Sequence, residues 1–241
     1  MDESLVSGIR VRYLKTLNRI AEATTRSGRE VGKVRLVVVT KSQPLEVVQA
    51  AVTAGAIILG ENYAEEALTK IAAIRNSQVE WHMIGHVQSR KADLIPGNFS
   101  LLHSLDSLKL AGRLNRVCVE TNRKLPVLLE VNVSREESKF GFPGWDEGRW
   151  LELVSMSKQI IEFPGLLLRG LMTMPPFFTE PAEVRPYFQR LRRLEGYLKE
   201  HVPQVDWSEL SMGTSGDFEI AVEEGATIVR VGQAILGPRP G

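Results

Sequence analysis

Residues 34–44, VRLVVVTKSQP, contain the stretch that decides the fold of this chain. The LVVV segment is a continuous run of apolar, mostly β-branched residues, which is typical of a strand covered on both faces. Lys41 follows this strand directly, so that an ammonium group ends an otherwise buried element. Most lysines at strand ends point into water, and this stretch alone favours that interpretation. The role of Lys41 must therefore be judged from the rest of the chain.

Apolar runs of strand type alternate with helical patterns after an N-terminal amphipathic helix. Strands are predicted over residues 35–40, 56–60, 81–85, 100–105, 126–133, 166–173, 208–212 and 227–231. Helices are predicted between them, over residues 45–54, 64–74, 107–121, 146–159, 184–201 and 218–224.

Eight βα repeats with short connections in 241 residues predict an α/β fold, a (β/α)8 TIM barrel with an extra N-terminal helix. An open doubly wound sheet is the alternative, but that fold usually has a glycine-rich turn after its first strand. The corresponding turn here, TKSQP, contains no glycine. Because no linker, low-complexity tract or repeat divides the sequence, residues 1–241 are predicted to form one domain.

The composition is that of an ordinary globular protein, with 43% hydrophobic and 24% charged residues. A net charge of +1 provides no electrostatic reason to expect nucleic-acid or membrane binding. The single cysteine, Cys118, excludes an internal disulfide and is expected to be a small buried hydrophobe in a helix. The N-terminus lacks the apolar core of a signal peptide, and no apolar run approaches the ~18 residues of a membrane span. A cytoplasmic location is therefore expected.

Glycine turns after the seventh and eighth strands suggest a phosphate site. Active-site residues of (β/α)8 barrels lie at the carboxyl ends of the strands, and the last two loops commonly bind phosphate. Gly213-Thr214-Ser215-Gly216 precedes a predicted helix, and Gly232 follows the last strand. Backbone amides and hydroxyl groups in such turns can face an anion. Capping of the helix by Thr214 or Ser215 is the competing interpretation.

Arg230 lies inside the TIVRV strand, where a guanidinium must be paired or face a ligand. A salt bridge to an inward carboxylate such as Glu130 is one explanation. The other places Lys41 and Arg230 on opposite sides of the barrel mouth, near the phosphate site, around an aldehyde-bearing phosphate such as pyridoxal 5′-phosphate (PLP). Lys41 could then form a Schiff base with the aldehyde. Arg230 at the pyridine nitrogen would keep that nitrogen unprotonated and make the ring a poorer electron sink.

Two further features are assigned structural roles. His82 and His86 are four residues apart but straddle a strand end, where this spacing does not place two side chains on one face. We therefore expect a pocket wall or a buried imidazole rather than a zinc site. The basic run at residues 185–193 belongs to an amphipathic helix, whose apolar residues recur at helical spacing: Phe188, Leu191, Leu194 and Leu198.

With these residues collected, the sequence resembles the pyridoxal phosphate homeostasis protein family, the single-domain relatives of the alanine racemase N-terminal barrel (fold type III of PLP proteins). The matching segments cover nearly the whole chain in order: VVVTKSQP, LGENYAEEA, WHMIGHVQSRK, HSLDS, EVNVSREESKFGF, GLMTMPP and LSMGTSGDFEIAVEEGATIVRVGQAILG. No single motif is specific for this family, but the order and spacing of all seven motifs together are specific for it.

The resemblance implies that Lys41 carries PLP covalently. It further implies phosphate contacts from Ser215, Gly232 and Gln233 and a place for Arg230 near the pyridine nitrogen. The ring and its edges would be lined by Asn62, Met83, His86 and Met212. Two positions depart from the family pattern, which more often has methionine at Thr214 and threonine or serine at Gln233. The second departure removes one phosphate donor, so cofactor affinity equal to the family norm is not assumed.

The resemblance also implies PLP storage and delivery rather than catalysis, with apo PLP enzymes as recipients and a monomer or weak dimer. Racemases of this fold use a tyrosine on an additional C-terminal β-domain as the second acid–base group. The chain ends at Gly241, and no such domain is expected. A racemase-like enzyme remains an alternative if Tyr63 or His86 transfers the second proton. A cofactor-free Schiff-base aldolase is a third possibility that leaves the phosphate turns unexplained.

Overall fold

The computed structural model describes residues 2–137 and 139–238 and has a closed barrel of eight parallel strands at its centre. The ring closes between the first and last strands, where Val37 pairs with Arg230. The strands are β1 (Arg35–Val39), β2 (Ile58–Glu61), β3 (Glu80–Met83), β4 (Leu101–Leu105), β5 (Leu125–Asn132), β6 (Phe142–Pro143), β7 (Leu166–Met172), β8 (Glu209–Ser211) and β9 (Ile228–Val231). All except β6, which pairs with the end of β5, belong to the ring.

Helices surround the barrel: α1 (Glu3–Arg26), α2 (Leu45–Thr53), α3 (Ala64–Ala73), α4 (Leu108–Glu120), α5 (Trp150–Ile161), α6 (Arg185–His201), α7 (Phe218–Glu223) and α8 (Gln233–Leu236). Local sequence explains several of their starts. The Asp2 carboxylate accepts the amides of Ser4 and Leu5 at the start of α1, and the Ser107 hydroxyl accepts the amide of Leu110 in α4. The extra helix α1 packs on α2, α7 and α8 and so covers the β9–β1 closure.

The apolar core lies on both sides of the barrel wall, because successive side chains of a strand point to opposite faces. The larger cluster fills the space between strands and helices and includes Leu36 and Val38 of β1. The smaller cluster consists of inward residues: Val37, Ile58, Leu101, Leu128, Met172 and Ile228. Burial on both faces explains the continuous LVVV run, and the packed interior leaves ligand chemistry to the ends of the barrel.

The predicted barrel and its N-terminal helix are confirmed, with differences at element ends. The second strand runs over Ile58–Glu61 rather than 56–60. Helix α5 begins at Trp150 rather than residue 146, because Glu147–Arg149 form a 3-10 turn first. A 3-10 helix, Ser89–Leu94, takes the place of the α-helix in the third repeat, and sequence reasoning missed it.

The burial of Cys118, the apolar face of α6 and the character of the helices were also considered from the sequence. Cys118 is buried in α4, and the four apolar residues of α6 are buried as the amphipathic pattern predicts. Within the described residues, no helix has both the length and the apolar character needed to cross a bilayer.

Candidate functional site

Lys41 lies at the carboxyl end of β1, half-buried in a tight turn. The Thr40 carbonyl accepts the Gln43 amide at 3.1 Å, which closes the turn. Because β1 pairs with β9, Lys41 and Arg230 come from neighbouring strands. The expectation that they face each other from opposite sides of the mouth is wrong, since the first and last strands of a closed ring are adjacent.

The Arg230 side chain is 4% exposed and points into the barrel. Its guanidinium donates to the Ser211 hydroxyl, to the Thr173 carbonyl at 2.9 Å and to the Met174 sulfur at 2.9 Å. Burial lowers its pKa to about 10, against smaller opposing effects of Asp217 and Glu130, so the group remains charged at neutral pH. None of the ion pairs in the described part of the chain joins Arg230 to a carboxylate. The salt bridge to Glu130, one of the two explanations considered for Arg230, is therefore not formed.

A buried chain of hydrogen bonds leads from Arg230 through the barrel. The Ser211 hydroxyl lies 2.8 Å from His103 Nδ1, and His103 Nε2 lies 3.0 Å from His82 Nδ1. Burial is the main cause that lowers the pKa of both histidines, so that neutral rings alternate donor and acceptor atoms along the chain. His82 is thus the buried, hydrogen-bonded imidazole that was expected. Sequence reasoning missed His103 and Ser211, although their inward positions on predicted strands were available as a signal.

Glu130 is an inward residue of β5 with an incomplete set of partners. Its Oε2 atom is buried and has no hydrogen-bond partner among the described residues. Burial, then the nearby Asp106 carboxylate, raises the pKa of Glu130 to about 7, while Arg230 lowers it. A buried carboxyl group without a partner is unusual and marks a place where a ligand can complete the hydrogen bonding.

The loop after β8 is shaped by Gly213 and Asp217. Gly213 has φ +92°, and a Cβ there would lie 2.5 Å from the Ala221 Cβ. The Thr214 amide and hydroxyl both donate to Asp217 Oδ1. Neither Thr214 nor Ser215 caps α7 through its side chain, because the N-cap residue is Asp217. Ser215 is half-buried within this turn.

The end of β9 comes close to β1 because Gly232 has no side chain. A Cβ at Gly232 would lie 3.1 Å from the Val39 carbonyl oxygen, tighter than ordinary contact. Gln233, which follows it, is exposed and begins α8. The two glycine turns and Lys41 therefore belong to neighbouring strands β8, β9 and β1, at one end of the barrel.

A cavity of about 310 Å³ lies on the other side of Lys41, beside the ends of β2 and β3. Three predicted site residues line it: Asn62, Met83 and His86. His86 Nδ1 lies 2.8 Å from the Asp106 carboxylate, and the imidazole stacks on Phe140 with 3.8 Å between ring centroids. Tyr63 also lines the cavity and is exposed. Met212, in contrast, is fully buried in the outer core cluster.

His82 and His86 do not converge, since one lies inside the barrel and the other at its mouth. No three His, Cys, Asp or Glu side chains of residues 2–137 and 139–238 are arranged to hold a metal ion. The site residues do fit a phosphorylated, ring-containing aldehyde. They provide a lysine, a charged guanidinium, a buried carboxyl oxygen, and turns in which a Cβ at Gly213 or Gly232 would crowd the neighbouring chain; among the described residues, the guanidinium has no carboxylate partner and the carboxyl oxygen has no hydrogen bond.

The comparisons with known proteins define the class first. The family described as the alanine racemase N-terminal domain matches residues 16–240. The alanine racemase of Clostridium difficile 630 superposes with a TM-score of 0.70 at 15% identity, covering 98% of this chain and 58% of that chain, which shows the fold alone. The protein is thus a barrel of the alanine racemase N-terminal type.

Nearer relatives define the family. A pyridoxal phosphate homeostasis protein of Aquifex aeolicus (strain VF5) is 38% identical over 228 residues, covering 95% of this chain and 97% of that protein. PipY of Synechococcus elongatus PCC7942, solved with PLP bound, has a TM-score of 0.79 at 33% identity, covering 90% of this chain and 100% of that chain. The chain belongs to the pyridoxal phosphate homeostasis protein family, as the sequence motifs predict.

Proposed function

We propose that this protein binds PLP at the carboxyl end of its barrel, holds it as a Schiff base on Lys41 and maintains intracellular PLP supply by storage and delivery. One observation carries the proposal: a lysine, an arginine that no described carboxylate pairs with, and two glycine turns occupy the adjoining ends of β1, β9 and β8. The PLP-bound relative PipY supports the identity of the ligand.

The covalent step needs only the lysine and the aldehyde. The neutral Lys41 amine adds to the aldehyde carbon, the carbonyl oxygen leaves as water, and a carbon–nitrogen double bond forms without any change of oxidation state. The bond can be reversed by water or by another amine, which suits a protein that releases its ligand.

The remaining site residues bind and orient. The Ser215 hydroxyl and the amides of Gly232 and Gln233 are assigned to the phosphate, where the glycine turns bring backbone close to the ligand. Arg230 is assigned to the pyridine nitrogen, because a fixed cation held by Ser211 and Thr173 opposes protonation there. Asn62, Met83 and His86, which line one cavity, are assigned to the faces and edges of the ring, and Met212, which is fully buried in the core, is not.

A racemase-like activity is the second candidate, supported by the His86–Asp106 pair. This pair lies beside Tyr63 at the same mouth and could move a proton from an amino acid. The test is α-hydrogen exchange of alanine in deuterated water by the PLP-loaded protein. We expect no exchange above that of free PLP, and rapid exchange that depends on both Lys41 and His86 would establish the enzyme.

Lys41→Ala tests the covalent part of the proposal. The wild-type protein should be yellow with PLP, and borohydride should bleach the colour and fix the ligand on the peptide that contains Lys41. Lys41→Ala should retain no borohydride-stable adduct. Lys139→Ala is the matched control, because Lys139 also lies at the mouth but is ion-paired with Glu136 at 2.7 Å. Loss of the adduct in Lys139→Ala and its persistence in Lys41→Ala would show that the lysine is wrongly assigned.

Delivery is tested by mixing the PLP-loaded protein with an apo PLP enzyme and comparing the recovery of enzyme activity with that from free PLP. Recovery that persists when a PLP-trapping reagent removes free PLP supports direct transfer. If the trap abolishes recovery, the protein stores PLP but does not deliver it by contact.

A further inference from the structure

A second lysine is buried beside the end of β1. Lys70 of α3 is 5% exposed, and its ammonium group contacts three oxygen atoms. These are the Thr40 carbonyl at 2.7 Å, Glu61 Oε1 at 2.8 Å and Glu66 Oε1 at 2.5 Å. We call Thr40, Glu61, Glu66 and Lys70 the Lys70 cluster. A fully buried ammonium group is rare and is normally paired in this way. Lys70 is therefore a structural part of the barrel wall, held in place by its partners.

The Lys70 cluster holds the peptide groups on both sides of Lys41. Before Lys41, the Thr40 carbonyl accepts a hydrogen bond from Lys70. After it, the Ser42 amide donates to Glu66 Oε1 at 2.8 Å, and the same oxygen atom accepts from Lys70. One ammonium group therefore fixes the turn from both ends, directly through Thr40 and indirectly through Glu66.

The turn needs such support because Ser42 has a left-handed backbone. Its φ is +56°, in the left-handed region that is disfavoured for a residue with a Cβ. A strained residue persists only where surrounding contacts hold it. The contact from Glu66 to the Ser42 amide supplies that restraint, and Glu66 lies one helical turn before Lys70 on α3.

Glu61 is the last residue of β2 and connects this strand to the Lys70 cluster. Its contacts make the arrangement of the cluster depend on Lys70. Its Oε1 atom accepts from Lys70 and from the Thr40 hydroxyl at 2.6 Å, while Oε2 is buried without a hydrogen-bond partner in the described residues. Without the ammonium group, two carboxyl groups and the Thr40 carbonyl would share one buried space. The turn that contains Lys41 would then rearrange.

We propose that Lys70 is a positioning residue for Lys41, which holds the β1 turn so that the Lys41 amine meets the ligand aldehyde in a reactive orientation. This inference rests on the proposed function. Lys70 acts without touching the ligand, through the two peptide groups that flank Lys41. Misplacement of a reacting atom by about 1 Å can slow a reaction by about a hundred-fold, so a displaced turn should slow bond formation strongly.

The test separates bond formation from ligand binding. Lys70→Met is compared with wild type for the rate of covalent capture of PLP, followed by absorbance, and for the affinity of pyridoxine 5′-phosphate, which has an alcohol in place of the aldehyde. We expect capture to slow by at least about ten-fold, while the affinity for the alcohol changes less than about three-fold. A general loosening of the fold would weaken both equally and would overturn the proposal.

The matched control is Lys199→Met, which removes an ammonium group from the buried Glu195 carboxylate at the same i, i+4 spacing on α6. It should change neither measurement. Glu66→Gln is the milder variant if Lys70→Met does not fold, since Glu66 is partly exposed. It should slow capture less than Lys70→Met, with the affinity for the alcohol again unchanged, and unaltered capture would overturn the proposal.

The same measurements distinguish a failure of the proposed function from a failure of the positioning role of Lys70. If wild-type protein forms no borohydride-stable adduct on Lys41, the proposed function fails and the positioning role fails with it. If wild type forms the adduct and Lys70→Met forms it at the same rate, only the positioning role is overturned.

Discussion

Both ends of the barrel carry arginine and acidic side chains, and the two ends differ in how these side chains are paired. At the amino end, Arg35 pairs with Glu209 at 2.6 Å, and the second oxygen of Glu209 accepts the Thr227 hydroxyl at 2.7 Å. Arg169 and Asp206 pair at 2.8 Å near the same end. A cavity of about 300 Å³ opens there, lined by both ion pairs. The two arginines of this cavity are therefore each paired with a carboxylate.

At the carboxyl end, the corresponding groups are not compensated. Among the described residues, Arg230 has no carboxylate partner and Glu130 Oε2 has no hydrogen bond. The cavities at the two ends are nearly equal in volume, about 300 and 310 Å³. Size alone thus does not identify the ligand site. The two ends differ in how Arg230 and Glu130 are paired, because a ligand at the carboxyl end can complete the hydrogen bonding of these two groups.

The largest expected effect on PLP binding comes from substituting Arg230 at the carboxyl end, with Arg35 at the amino end as the control. Arg230→Gln should raise the Kd for PLP by about ten-fold or more, since hydrogen bonds to charged groups contribute about 1.5–3 kcal/mol. Arg35→Gln should leave that Kd unchanged and reduce stability by about 1 kcal/mol or less, because its ion pair is partly exposed. Absorbance titration with PLP measures both. Equal losses of affinity would show that the two ends do not differ in function.

A medium effect is expected from Glu130→Gln, with a defined pH dependence. Burial first, then Asp106, raises the pKa of Glu130 from 4.5 to about 7. Between these values the folded protein retains a proton that the unfolded chain has released, so stability falls as the pH rises towards 7. Glutamine cannot ionise and avoids this loss. The variant should be more stable than wild type at pH 8, on the order of 2 kcal/mol, and nearly equal at pH 4.

Urea denaturation at the two pH values measures the effect of Glu130→Gln. The control is Glu209→Gln, which breaks the Arg35 pair at the amino end and should not stabilise the protein at pH 8. A pH-independent difference between Glu130→Gln and wild type would mean that Glu130 is not protonated near neutral pH in the folded protein.

The smallest effect is expected from Arg169→Ala at the amino end. The Arg169–Asp206 pair is exposed on both sides, and such pairs contribute about 0–1 kcal/mol. Denaturation in low salt should show a small loss that disappears in high salt, and the Kd for PLP should not change. A loss of PLP affinity would place part of the ligand site at the amino end and would contradict the comparison of the two ends.

Much of the fold could be predicted because its signals are local. The apolar runs of β1 and β9 and the periodicity of α6 are read from neighbouring residues. The site was predictable in outline, because the carboxyl ends of strands meet in a closed parallel barrel. The partner of Arg230 was not predictable in the same way. Glu130 has the expected charge, but Ser211, Thr173 and Met174 surround the guanidinium instead.

The sequence by itself determined the order of strands and helices, the glycine turns and the place of Lys41 at a strand end, because each depends on residues close together in the chain. Only the tertiary structure decided which charged and polar groups have partners. His103 and Ser211 contact each other although they are 108 residues apart in the sequence, and Lys70 and Thr40 do so at a separation of 30 residues. Such contacts depend on how neighbouring strands and helices are placed in the closed barrel, and local patterns do not contain that information.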